Sequence, residues 1–581
     1  MSTQSGRRYP RRSAMTDALN LMGFDTNEDG SSGSEIEDEI QDNDLRDNDS
    51  SSSSDEDAGG STGEWRTVQS GTDSVRRGPE FTGTTGLHPR LEIPNELEDD
   101  MFFLNHFFTD DLMQDICDYT NNRLWQELVD NPESQKLQNS RQVTVNEIRK
   151  FIGLQFLMAL NKKPTLASYW SGDLVFRQEI FSSPESLSRD RFQLILNYIR
   201  FADPENLEND YLAKVRPFLE KVNNICQNTY LPNRQISIDE TLMLFKGRLR
   251  IRQYIPSKRR RYGIKSYVLA ESESGYVWKM MLHGLSTENR AVGLSHRGAE
   301  TLSVTERIVI QLSHDLFNQG YHVYLDNFYT SCRLARYLFR NGTFMTGTVK
   351  ANRGVPSDLK HLNLPVKSQA YSRNGEVLCV KLVDQKSSGK KTVYLMDTFA
   401  AAEDVEVSRI VKGGHHETVK KSRSVLNYNA HMGGVDRLDA ALHHYDINRK
   451  NYTWFVKYCL HLIQIMHYNS WILYRKNDGK MNYLDYCMKS VNRLVLQTGI
   501  GRNPVGRPRL VPRSTNNRCL EERNPQHKLE RIPAREGEPR PHKRCRVCYQ
   551  AGKRKETVFR CADCPGQPGL CAAPCFSKYH E

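Results

Sequence analysis

Two stretches decide how this chain folds: QISIDETLMLF, residues 235–245, and YHVYLDNFYT, residues 321–330. In the first, apolar residues alternate with polar ones up to Asp239, the pattern of a half-buried strand with an acid at its end. In the second, HVYL closes on Asp326 at a strand-to-helix junction. Between and around them, IKSYVLAE (264–271), YVWKMMLHG (276–284) and TFMTGTVK (343–350) read as further strands. TLSVTERIVIQLSHDLFNQG (301–320) reads as an amphipathic helix ended by Gly320, and CRLARYLFRNG (332–342) as a second with Gly342 near its end. Strands followed by alternating helix and strand predict a mixed α/β sheet with helices packed against it.

Working outward, the pattern upstream is helical from about 96 to 234. MFFLNHFFTDDLMQDICDYTNNRLW places apolar residues at mixed three and four spacings, and TVNEIRKFIGLQFLMAL opens with a Thr144/Glu147 capping box. Residues 1–95 are rich in Ser, Gly, Asp, Glu and Asn and poor in aliphatics, a composition that predicts disorder. Downstream, 351–423 holds short β segments among turns, among them CVKLVDQ and KTVYLMDTF. Helix returns at about 434, and WFVKYCLHLIQIMHYNSWILY (454–474) is strongly apolar. Residues 506–541 form a basic linker rich in Arg and Pro.

The chain has 581 residues, too many for one compact core, so several domains are expected. No run of about 18 apolar residues predicts a membrane span, and no apolar leader predicts export. The net charge of +11 is uneven: the stretch 21–60 carries fourteen acids and one base, which leaves the remainder far more basic. A polyanionic partner is one reading of that asymmetry, and ordinary solubilising charge is the other. Ser50 to Ser54, followed by Asp55, Glu56 and Asp57, suit an acidophilic kinase as well as an unmodified solvated tail.

GGVDRLDAAL (433–442) puts Asp436 and Asp439 three residues apart near the start of a helix. Together with Asp239 and Asp326 these are acids at strand ends and a helix start, where an open α/β sheet builds its sites. Converging carboxylates repel one another and call for a hard cation, Mg²⁺ or Mn²⁺. Two such ions can clamp the attacking and leaving oxygens of a phosphodiester. An Asp at a strand end also serves as a turn former or helix cap, and spacing alone does not show that these converge.

The tail carries two C-x-x-C knuckles, Cys545/Cys548 and Cys561/Cys564, then Cys571, Cys575 and His580. Paired knuckles in a reducing compartment signal structural Zn²⁺, and so short a segment needs metal to fold. Those seven ligands fall one short of two tetrahedral sites, and His542 is a candidate eighth, so one or two zinc ions are expected.

Residues 246–265, KGRLRIRQYIPSKRRRYGIK, hold nine basic residues and no acid, with Tyr254 and Tyr262 interleaved. Lys246, Arg248, Lys258, Arg259, Arg260 and Arg261 can neutralise phosphates, and the aromatics can stack on unpaired bases; a nuclear-import patch is the alternative. In GRPRLVPR (506–513), Arg507 and Arg509 suit a minor-groove arm or, equally, an import signal.

Taken in order, SIDETLMLFKGRLRIRQYIPSKRRRYGIK, YHVYLDNFYTS, FMTGTVKANRGVP, YNAHMGGVDRLD and the final CFSKYH resemble the piggyBac transposases over roughly 96–581. The resemblance implies an RNase H-like core with a DDD triad, here Asp239, Asp326 and Asp436, and Asp439 as a further nearby acid. It implies that Lys350, Arg353 and Trp454 lie near DNA. It implies a helical dimerisation and DNA-binding domain from 96–234 and 446–505, a catalytic domain from 235–350 and 424–445, and a β-rich insertion at 351–423. A cross-brace zinc domain at 542–581 would bind terminal repeats. The implied activity is cut-and-paste transposition in the nucleus by a homodimer, through hairpin ends and into TTAA. The alternative is a domesticated DNA- or chromatin-binding protein without catalysis.

Overall fold

A computed structural model describes residues 64–73, 78–91, 99–203, 211–255, 261–284, 292–293, 295–386, 389–410, 416–447, 453–496, 527–533, 541–564 and 566–580. The chain divides into two compact units. One comprises Phe108–Phe218 with the chain from Cys487 onward, and the other the chain up to Phe107 with Leu219–Tyr486.

The first unit is built on helices α1 (Asp110–Asp130), α2 (Val145–Leu160) and α3 (Arg189–Tyr198). Each starts at a hydroxyl cap: Thr109, Thr144 and Ser188 accept the N–H of Leu112, Glu147 and Arg191. The capping box read from the sequence is present, since Glu147 also accepts the backbone N–H of Thr144 at 3.1 Å. Glu147 also pairs with Arg191 at 2.8 Å and Arg141 at 2.9 Å, so one buried carboxylate ties α2 to α3. Phe151 and Phe192 pack with ring centroids 4.8 Å apart in the core between them.

The second unit holds a ten-stranded mixed sheet. Its strands are β1 (Arg66–Val68), β2 (Gln235–Leu244), β3 (Arg252–Tyr254), β4 (Tyr262–Glu271) and β5 (Val277–Leu282). The others are β6 (His322–Leu325), β7 (Phe344–Val349), β8 (Ser368–Asn374), β9 (Val377–Lys386) and β10 (Gly389–Asp397). Their order is β1-β8-β9-β10-β7-β6-β2-β4-β3, with β5 also on β4. The β2–β6 and β6–β7 pairs are parallel and the rest antiparallel. Helices α4 (Val304–Ser313), α5 (Cys332–Arg340), α6 (Arg423–His431), α7 (Gly434–His444) and α8 (Trp454–Lys476) belong to the same unit.

Four expectations are revised. Residues 64–73 and 78–91 were expected to be part of a disordered tail, yet β1 lies in them and pairs with β8 as the outer strand at that end of the sheet. A buried ion pair, Asp73 with Arg373 at 2.6 Å, pins that segment, and a three-residue strand is too short to announce itself by alternation. The expected β-rich insertion is no separate sheet in its first half. Strands β8–β10 extend the main sheet through β10–β7 pairing, and only the hairpin Asp404–Ile410/His416–Ser422 stands apart. The apolar helix α8, expected in the helical domain, belongs to the sheet unit. A helix apolar on all sides is buried all round, and the Asn469 amide bonds both the N–H and the C=O of Val277 in β5, at 2.9 and 2.8 Å. The helix predicted to run to Gly320 stops at Ser313; a 3₁₀ turn follows, and Gly320 takes φ +76° where a Cβ would meet the Glu80 carbonyl at 2.4 Å.

Candidate functional site

The parallel register decides where the first two acids stand. Ile238 in β2 lies opposite Leu325 in β6, so the next step of each strand brings Asp239 beside Asp326. Equal register on adjacent parallel strands also places both on one face of the sheet. Helix α7 lies over that face of β2. At its start, a Cβ on Gly434 would sit 2.4 Å from Ser237 Oγ. Further along, Thr241 donates its hydroxyl to Asp439. The helix therefore meets the strand near Ser237 and again at Thr241, and Asp436 lies on the helix between those two contacts, three residues before Asp439. The Arg437 guanidinium, which donates to the Ser272 carbonyl, ties the helix down a third time.

The turn after β6 is rigid. Asp326 Oδ1 accepts the Phe328 N–H at 2.9 Å, and the Asp326 carbonyl accepts the Thr330 hydroxyl at 2.8 Å. Burial, then the negative charge of Glu240, push the Asp326 carboxyl up to about 7, against the Phe328 N–H and the Lys265 ammonium. Glu240 points to the other face of β2, where Tyr329 donates to it at 3.2 Å and Lys265 approaches at 3.9 Å. The Lys265 ammonium also lies 4.4 Å from the Phe328 ring centre, so a buried cation braces the Asp326 turn from behind. Strand alternation alone could have flagged Glu240 and Lys265; Gly434 and Thr241 had no signal short of the fold.

Asp239 was expected at a strand end but lies midway along β2, whereas Asp326 directly follows the last residue of β6. Hard oxygen donors on these adjacent parallel strands suit a divalent cation such as Mg²⁺ or Mn²⁺. Among the described residues, the three acids do not reach the 4.8 Å mutual spacing found in the tail's ligand groups.

The other expected contacts divide. Lys246, Arg248, Arg261 and Lys350 are exposed. Arg353 is half-buried, and its guanidinium donates to the Phe328 carbonyl at 2.6 Å, bolting the turn that follows β7 to the Asp326 turn. Trp454 is half-buried at the start of α8. Lys258, Arg259, Arg260, Arg507 and Arg509 lie outside the described residues.

In the tail, two ligand groups form. Cys545, Cys548, Cys571 and Cys575 gather within 4.8 Å, as do His527, Cys561, Cys564 and His580. The first knuckle thus joins the third cysteine pair while the second joins two histidines, an interleaved cross-brace. His527 Nδ1 lies 3.1 Å and His580 Nε2 3.2 Å from Cys564 Sγ. The remaining His580 nitrogen bonds the Phe576 carbonyl at 2.7 Å, which fixes the ring. His542 belongs to neither group, and the eighth ligand is His527, from the stretch expected to be linker. Pairing of Leu529–Arg531 with Phe559–Cys561 carries His527 to Cys561, a long-range pairing that Cys/His spacing does not encode. Both sets, four thiolates and two thiolates with two imidazoles, match tetrahedral Zn²⁺.

A family model described as "Transposase IS4" matches residues 99–471, and one described as a DDE_Tnp_1-like zinc finger matches residues 522–581. PiggyBac transposable element-derived protein 3 of Homo sapiens is 24% identical over 440 residues, 73% of this chain and 68% of that protein. The human piggyBac transposable element-derived protein 2 is 22% identical over 415 residues, 68% of this chain and 65% of that protein. The solved piggyBac transposase synaptic complex with hairpin DNA has the same fold, with a TM-score of 0.59 at 21% identity, covering 83% of this chain and all of that one. An RNase H-like sheet flanked by helices, an interleaved zinc tail and a family model spanning most of the chain together place this protein in the piggyBac family of transposases.

Proposed function

We propose that this protein is an active cut-and-paste DNA transposase in which Asp239, Asp326 and Asp436 hold the catalytic divalent cations. The observation that carries the proposal is the register: Asp239 and Asp326 follow directly on the Ile238–Leu325 pair, and α7 is clamped over the same strand at Ser237 and Thr241. Mg²⁺ or Mn²⁺ bound there supplies charge neutralisation at the attacking and leaving oxygens of a phosphodiester. The chain's own part is positional. Lys265, Tyr329 and Arg353 hold the Asp326 turn, and Gly434 lets α7 bring Asp436 close. Asp439, engaged by Thr241, is read as a positioning acid beside the triad.

The reaction sequence rests on family membership. Hydrolysis frees a 3′-hydroxyl at the transposon end, that hydroxyl attacks the opposite strand to give a hairpin, and the reopened end joins TTAA target DNA. The DNA-bound synaptic complex of the structural relative supports a homodimer that pairs two ends. Exposed Lys246, Arg248, Arg261 and Lys350 are the DNA contacts, with two structural zinc ions in the tail and the nucleus as the place of action.

The test is cleavage of a labelled transposon-end duplex in Mg²⁺ by the wild type and by Asp326→Asn. Asn keeps the shape and removes the ligand charge, so cleavage is lost while DNA binding stays. Full activity of Asp326→Asn would remove that residue from the triad. A second reading, a domesticated DNA-binding protein, is favoured by the human relatives, both described as transposable element-derived. It predicts binding without any nicking by the wild type.

A further inference from the structure

Tyr254 in β3 and Tyr262 in β4 stand directly opposite each other, their ring centroids 4.6 Å apart and tilted by 39°. They remain 43% and 41% exposed, on the outermost strand pair at one end of the sheet. Arg252, two residues along on the same face, lies 5.3 Å over the Tyr262 ring. Its guanidinium is locked by the Lys246 and Gly247 carbonyls, each at 3.1 Å. The hairpin beneath is anchored by Ile251 and Ile255, 2% and 1% exposed, so the ring surface is presented from a fixed base. Lys246, Arg248, Arg250 and Arg261, all within eight residues of one tyrosine or the other, are exposed.

An exposed aromatic pair with a fixed guanidinium, in a strongly basic and exposed stretch of chain, matches one ligand class: an unpaired nucleobase whose flanking phosphates are neutralised nearby. We infer that Tyr254, Tyr262 and Arg252 form a stacking platform for an unpaired base of the DNA strand leading to the active site. The inference rests on the transposase reading above. The sheet also gives it a distance. Asp239 lies opposite Val268, six residues along β4 from Tyr262, or about 20 Å at roughly 3.4 Å per residue. About six nucleotides span that length at the duplex rise of roughly 3.4 Å per step, and a more extended unpaired strand spans it with fewer. Unpaired bases engaged there would therefore lie within about six nucleotides of the scissile phosphate. Cross-strand tyrosines also stabilise a hairpin without any ligand, and the test separates the two roles.

The full-length protein is compared with the double variants Tyr254→Phe/Tyr262→Phe and Tyr254→Leu/Tyr262→Leu. Fluorescence anisotropy is measured on a labelled dT12 strand and on a 12-base-pair duplex of mixed sequence, with thermal melting alongside. The Leu pair is expected to weaken dT12 binding about 10-fold and to leave duplex binding within about 2-fold, while the Phe pair keeps both. With 2-aminopurine placed at successive unpaired positions of a gap that starts at a nick in a duplex, wild-type quenching peaks within about the first six nucleotides. Wild-type dT12 affinity in the Leu pair overturns the platform. So does an equal loss in the Phe pair, or equal loss on both DNAs with a lowered melting point. If the wild type binds dT12 with that pattern yet cuts no transposon end, the platform stands and the catalytic reading falls; if it binds neither DNA, both fall.

Discussion

Gly434→Ala adds one methyl group at the point where α7 meets β2. The new Cβ would lie 2.4 Å from Ser237 Oγ, 2.9 Å from the Glu271 carbonyl and 3.3 Å from Ser272 Cα. Ser237 is fully buried and Glu271 is 0% exposed, and two of the three clashes are with backbone, so neither side can yield cheaply. Alanine at the first helical position gains the helix less than the ~1 kcal/mol of an interior site, and overpacking costs about 1–3 kcal/mol, so stability falls modestly. The larger effect is geometric. Relieving a 2.4 Å contact requires the start of α7 to back away by about 1 Å, and Asp436 sits two residues further on. A shift of about 1 Å in a catalytic group costs about 100-fold in rate. Single-turnover cleavage of a transposon-end duplex should therefore fall about 100-fold while end binding is kept. The double variant Ser237→Gly/Gly434→Ala removes the closest contact but not those with Glu271 and Ser272, and should recover part of the rate. Full activity in Gly434→Ala, or no recovery in the double variant, would refute the clamp.

Three further outcomes follow from the same geometry. His527→Ala should lower the zinc content of the purified protein from two ions to about one by atomic emission, and His542→Ala should leave it unchanged; the reverse result would restore His542 as the ligand. Burial works against the charged form of Glu147, but Arg191 outweighs it and holds the carboxyl below its usual 4.5. The stability it gives is present above the unfolded-state value and lost as pH falls through the lowered one. Glu147→Gln should thus destabilise the protein by about 3–5 kcal/mol at pH 7 and flatten the acid limb of its denaturation profile. Lys265→Met should slow cleavage without weakening end binding, because it unbraces the Asp326 turn and leaves Glu240 without its cation. Unchanged single-turnover rates in Lys265→Met would count against that brace.

Much of the sheet was legible because its strands carry strong period-two or continuous apolar patterns, as in QISIDETLMLF and IKSYVLAE. Thr144 and Glu147 announced α2 by a local rule that tertiary context did not override. What failed was long-range. The three residues of β1 carry no periodicity, and their place depends on an ion pair 300 residues away in sequence, Arg373 with Asp73. Helix α8 shows its burial in its composition, yet composition does not say what buries it; that is settled by Asn469 meeting Val277. In the tail, six cysteines and His580 were readable from spacing, whereas His527 reaches its place only through pairing of Leu529 with Cys561. At the acidic site the residues were visible one by one, but the placing of Asp239 beside Asp326 depends on the parallel register of β2 and β6.

The central claim is that three distant segments bring their carboxylates to one cation site. Replacing Mg²⁺ with Fe²⁺ and adding ascorbate and peroxide generates hydroxyl radicals at the bound ion, and these cut the backbone beside it. Mapping the fragments by mass spectrometry should reveal cuts near Asp239, Asp326 and Asp436 together, all suppressed by excess Mg²⁺ and lost in Asp326→Asn. Cutting near only one or two of these segments, or cuts that persist in Asp326→Asn, would contradict the shared site.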